Sequence, residues 1–72
     1  MEILRRTSKS GKVFRIIKTF ESWELYDIEF LKIYKNDDGS EFHAWFPLFE
    51  PSNVSYCGFD NAQLVLKALL QT

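Results

Sequence analysis

A chain of 72 residues with a net charge of −1 and 17% aromatic side chains has room for one domain and one small core. At this size folding hides only about 60% of the unfolded surface, so bulky rings must supply much of the burial. Seven Phe, three Tyr and two Trp argue against disorder, and no run approaches the ~20 apolar residues of a membrane span.

Cys57 is the single cysteine, without Cys or His companions at zinc-ligand spacing. It predicts a reducing, cytoplasmic setting with no disulfide, metal or cofactor. No apolar stretch follows Arg5 and Arg6, so no secretory leader is expected.

In chain order, Glu2–Thr7 reads as a short strand ended by the turn signal Ser8-Lys9-Ser10-Gly11, and Lys12–Phe20 as a second strand. Arg5, Arg6, Lys9, Lys12, Arg15 and Lys18 crowd this quarter of the chain, opposed there by Glu2 alone. Acids dominate from Glu21 to Asp60. Pairing between strands of opposite charge explains the asymmetry, and a nucleic-acid contact at the basic end is the alternative.

Leu25–Lys35 is the third predicted strand. A helix from Ser22 to Tyr34 competes, but the apolar residues there spread around a helical wheel instead of forming a stripe. A turn at Trp23-Glu24 would set Ile17 opposite Phe30, Phe14 opposite Ile33 and Lys18 opposite Glu29. The same register opposes Arg15 to Lys32, which is unfavourable. Asn36-Asp37-Asp38-Gly39 is a hairpin turn of the Asp-Gly kind, for which a type I′ geometry is expected, and Glu41–Phe46 is the returning strand. Pro47 lacks an N–H, which places that strand at an edge or ends it.

The last element is a helix from Asn61 to about Gln71. Asp60 is its expected N-cap, Gln63 completes a capping-box pattern, and Phe59 with Leu64 forms a hydrophobic staple. Its apolar arc is wider than one sheet contact needs. The expected fold is therefore a single α+β domain over residues 1–72: an antiparallel meander of three to four strands with one C-terminal α-helix packed on it. The order of Asp38-Gly39, a strand with Ala44, Pro47, Gly58 and a helix with Ala62, Leu66 and Leu69 resembles small antitoxins of the HicB type. That resemblance covers the C-terminal half; the basic segment before it departs from the pattern, and it implies no function here.

Chemistry-bearing patterns are sparse. His43 and Cys57 lack a third, orienting group for nucleophilic catalysis. Asp37, Asp38 and Glu41 sit on a turn, off calcium-loop spacing, and Ser10-Gly11-Lys12 is a fragment of a phosphate loop. A non-catalytic protein is expected. Glu41 to Phe49 carries bulky apolar groups on both faces of a strand: Phe42, Ala44, Phe46 and Leu48 on one, His43, Trp45 and Phe49 on the other. One short helix covers one sheet face, so the second is either folded under the Phe49–Phe59 loop or left as a docking patch. The docking patch predicts a small adaptor or inhibitor that binds another protein, or a second copy of itself. Its proposed contacts are Trp45, Phe49, His43 and Trp23, ringed by Glu24, Asp37, Asp38 and Glu41. The alternative is a single-stranded nucleic-acid site of Arg5, Arg6, Lys12, Arg15 and Lys18, with Phe14 or Phe20 stacking on bases. The pI near 5.7 weighs against it.

Overall fold

Stretches rich in β-branched and aromatic residues, separated by turn signals, drive four successive strands, and a Leu- and Ala-rich stretch drives one helix. In a computed structural model describing residues 1–48 and 55–71, the elements are β1 (Glu2–Thr7), β2 (Val13–Lys18), β3 (Leu25–Lys35), β4 (Glu41–Pro47), β5 (Ser55–Cys57) and α1 (Phe59–Leu69). β1 to β4 form an antiparallel meander in that order, with α1 laid across one face. The expected α+β architecture is what the chain adopts.

β5 was not anticipated. It pairs with the start of β3, Ser55 opposite Asp27, while the Leu48 N–H donates to the Ile28 carbonyl at 3.2 Å. β4 and β5 therefore run along the same edge of β3 as two pieces of one track, separated by residues 49–54.

Even-numbered side chains of β2 and β3 meet the helix. Phe14, Ile16, Tyr26 and Ile28 close over Ala62 and Leu66 to form the core, with Leu4, Phe30, Tyr56 and Phe59 packed around it. This face selects the register. Phe14 lies opposite Phe30, Arg15 opposite Glu29 and Lys18 opposite Tyr26, a shift of three residues from the Phe14–Ile33 pairing expected from a Trp23-Glu24 turn. An odd shift exchanges the sheet faces of one strand relative to the other. The observed register aligns the apolar sets and replaces an Arg15–Lys32 clash with an Arg15–Glu29 ion pair at 2.6 Å. The chain turns earlier than expected, with the Trp23 N–H on the Phe20 carbonyl at 3.3 Å and the Thr19 hydroxyl on Asp27 at 3.0 Å.

Two local expectations are corrected as well. Among residues 36–40 only Gly39 has a positive φ, at 88°, so the hairpin turn is not type I′, which needs two such residues. Bonds from Gly39 N–H to Asn36 O and from Asn36 N–H to Ser40 O make it a three-residue loop with Gly39 in the bulge. The helix is capped by Gly58 without a side-chain bond, rather than by Asp60, which lies in the first turn. Leu64 is 67% exposed and forms no staple; Phe59 instead packs on Tyr26 with ring centroids 5.5 Å apart.

Candidate binding surface on the β3–β4 hairpin

Eleven helical residues span about 16 Å, whereas the eleven residues of β3 span about 37 Å. The hairpin therefore outruns its cover. Helix α1 runs beside β2, β3 and β5, and among the described residues it does not reach β4. The molecule is correspondingly long, 42 × 26 × 21 Å with a radius of gyration of 13.3 Å; a compact chain of this length has about 11 Å.

On the helix side of the hairpin, beyond the end of the helix, aromatic rings cover one another. Tyr34 and Phe42 stack at 5.0 Å, Phe46 meets Tyr34 and Phe30 at 6.2 Å each, and the Lys32 ammonium sits 4.8 Å over the Phe46 ring. Phe42 remains 49% exposed. The Phe42-Ala44-Phe46 alternation is legible in the sequence, which does not assign these rings to a site. The signal for the strip was the ratio of helix to strand length.

The opposite face carries the expected Trp45, in a setting the sequence did not disclose. Its ring is half-buried under two guanidinium groups, Arg15 at 4.2 Å and Arg5 at 5.1 Å. Arg15 bonds Glu29, Arg5 bonds Glu2 at 2.7 Å, and Arg15 also approaches Glu2 at 3.7 Å. Trp45 is thus the lid of a charge network spanning β1 to β4. His43 lies two residues toward the tip on the same face, exposed and 3.9 Å from Glu41, with Ile33 open beside it. Asp37 and Asp38 sit at the tip, where Asp38 accepts from the Ser40 N–H and hydroxyl.

Other proposed contacts fall elsewhere. Trp23 is exposed in the β2–β3 turn, packed on Phe20 at 5.4 Å; beyond it the six steps of β3 from Leu25 to Leu31, about 20 Å, lead to the level of Trp45. Glu24 belongs to that far end, accepting from the Tyr26 hydroxyl at 2.8 Å and Lys18 at 3.3 Å. Phe49 lies outside the described residues. Of the Phe49–Phe59 loop, Tyr56 and Phe59 go to the helix side, so neither covers the Trp45 face.

The basic set is divided between faces. Arg5 and Arg15 lie with Trp45. Arg6 borders a shallow depression beside Leu4 and Leu66, Lys18 stands over the Tyr26 ring, and Lys12 edges a cavity of about 410 Å³ with Phe14, Phe30, Leu48 and Leu69. Phe14 is 4% exposed in the core and is closed to a nucleobase; Phe20 is open but engaged with Trp23. His43 and Cys57 face Ile33 and Leu25, so the length of β3 separates them. No cluster of three metal-ligating side chains occurs among the described residues, and no helix there is long and apolar enough to cross a membrane.

The network marks the carboxylates. The hydrogen bond from Arg5 holds Glu2 below its ordinary 4.5, the Tyr26 hydroxyl and then Lys18 do so for Glu24, and the Ser40 hydroxyl and N–H do so for Asp38 below 3.8. A depressed folded-state value adds stability above the unfolded pKa and loses it as pH falls through the folded one. Urea midpoints are therefore expected to decline from about pH 4.5 downward, less steeply in Glu2→Gln than in the parent chain. Parallel declines would show that the Arg5–Glu2 bond is not populated in solution.

Comparison with known protein families, characterised proteins and solved structures finds no match, so the HicB-type resemblance of the C-terminal half gains no support.

Proposed function

We propose that the protein is a non-catalytic binding domain that engages a protein partner through the outer half of the β3–β4 hairpin. One observation carries the reading: the hairpin extends past the helix with Tyr34 and Phe42 open on one face and Ile33 and His43 on the other, along a strand at the sheet edge. Large exposed aromatics gathered in one place mark docking surfaces, and rings of this kind dominate interface energetics. Packing within the hairpin fixes these rings before any partner arrives, which lowers the ordering cost of association. The acids Asp37, Asp38 and Glu41 around the tip keep the hairpin soluble and favour partners with basic rims.

Phe42→Asp is expected to keep the circular dichroism of the parent, since its ring is half open, while weakening capture of the partner from native-host extract about 30-fold or more. Undiminished capture by a folded Phe42→Asp protein would remove the hairpin from the binding surface.

A further inference from the structure

We infer that the occupant of the β4 edge is a second copy of this chain, laid antiparallel to the first about a two-fold axis beside Ala44; the inference rests on reading the hairpin as a docking surface. Leu48 N–H bonds Ile28 O at 3.2 Å and Asn36 N–H bonds Ser40 O at 2.8 Å. Antiparallel ladders alternate bonded and non-bonded pairs, so the even-numbered residues of β4 bond to β3. Glu41, His43 and Trp45 consequently direct their backbone N–H and C=O groups outward. Among the described residues no strand takes these groups up. The edge also lacks the lysines that commonly discourage pairing: Glu41 is the sole Asp, Glu, Lys or Arg of β4.

Phe42-His43-Ala44-Trp45-Phe46 is close to a palindrome of ring-bearing residues about Ala44, and that property names the partner. Pairing about Ala44 sets Phe42 against Phe46 of the second copy, His43 against its Trp45, Ala44 against its Ala44 and Glu41 against its Pro47. The His43 N–H meets the Trp45 carbonyl and the Trp45 N–H the His43 carbonyl, each bond occurring twice by symmetry. Glu41 N–H adds a bond to the carbonyl of Pro47, whose missing N–H ends the ladder. On the helix side, Phe42 and Phe46 would join the two Tyr34–Phe42 stacks into one aromatic row. Charge agrees on the other face. Glu41 comes diagonal to Trp45 of the second copy, about 7–8 Å away and within reach of a long side chain. Arg5 and Arg15 already stand over that indole at 5.1 and 4.2 Å. The product is a continuous sheet through both molecules with its β4 edges removed.

The test is oligomeric state and register. Light scattering on the native chain is expected to give twice the 8.5 kDa of one chain. His43→Pro, which deletes an outward N–H that the β3–β4 ladder does not use, is expected to return the mass to one chain with unchanged circular dichroism. Ala44→Cys in a Cys57→Ser background would place two thiols on a non-bonded pair with Cα atoms about 4.5 Å apart, inside disulfide range. Mild oxidation should convert most of that protein to a covalent dimer. Glu41→Cys in the same background should not convert, since its copy would lie six residues away, about 20 Å. A native chain that stays at one-chain mass at its highest soluble concentration overturns the inference, as does equal cross-linking at 41 and 44. If the chain is monomeric and Phe42→Asp still abolishes capture of a different protein, the pairing falls and the docking hairpin stands; if capture is also unaffected, both fall.

Discussion

Ile16→Ala is expected to destabilise the protein by about 3 kcal/mol. Among the described residues Ile16 is the largest side chain sealed completely from solvent, at 0% exposure. It sits opposite Leu4 on one side and Ile28 on the other, beneath Ala62 and Leu66 of the helix. Domains of this length are stable by roughly 4–11 kcal/mol in all, so the loss is a large share of the total. Six residues among those described are buried in the core, and with so few, neighbours have little freedom to refill a gap. Ile16→Val, which removes one methylene, should lose about 1 kcal/mol. Leu64→Ala, at an exposed helix position, should change stability by less than about 0.5 kcal/mol. Urea unfolding of the three variants checks the order. Equal midpoints for Ile16→Ala and Leu64→Ala would mean that the helix does not close over β2.

The split between Ile16 and Leu64 also shows what the amino-acid pattern discloses. Strand-forming residue types between turn signals located β1 and β3 to the residue, and the Leu-rich tail located the helix. Such signals are local, set by residue type and by where turns fall. Register is not local. The Phe14–Phe30 pairing depends on how many residues the β2–β3 turn consumes, and Thr19 to Glu24 offered no glycine or proline to mark it. β5 was missed because three residues are too short for an alternation, and its pairing with β3 is a tertiary fact. Trp45 was identified as an unusual ring on the second face, but its cover by Arg5 and Arg15 needed the sheet order to bring β1 and β2 near β4. Part of the charge asymmetry of the first quarter is met by neighbouring acids: Arg15 pairs with Glu29 across β2 and β3, and Lys18 reaches Glu24 in the β2–β3 turn. The Tyr34–Phe42 stack went unassigned for a different reason. Hydrophobic patterning reports which face a ring occupies, and it does not report whether a helix is long enough to reach that ring.

Gly58→Ala is expected to cost about 1–3 kcal/mol through the backbone alone. Gly58 has φ 85° and ψ 141°, a region open to glycine and closed to side chains with a Cβ. Space is not the obstacle. A methyl group there would meet nothing nearer than the Asn61 amide nitrogen at 3.9 Å. The conformation is held because it carries the chain from β5 into α1: the Gly58 N–H bonds Glu24 O at 2.8 Å, and its carbonyl receives the Ala62 N–H at 3.4 Å. Relaxing φ to a negative value would break one of these bonds or swing Phe59 off Tyr26. Asparagine tolerates the left-handed region near ψ 45° and should not rescue position 58. It should be accepted far better at Gly39, where the bonds define a bulged turn. Thermal unfolding of Gly58→Ala, Gly58→Asn and Gly39→Asn separates these cases, and a Gly58→Asn protein as stable as Gly39→Asn would refute the assigned ψ. Because α1 does not reach β4, folded Gly58→Ala protein should keep the hairpin's association unchanged. A loss of binding in step with stability would instead make the helix part of the docking surface.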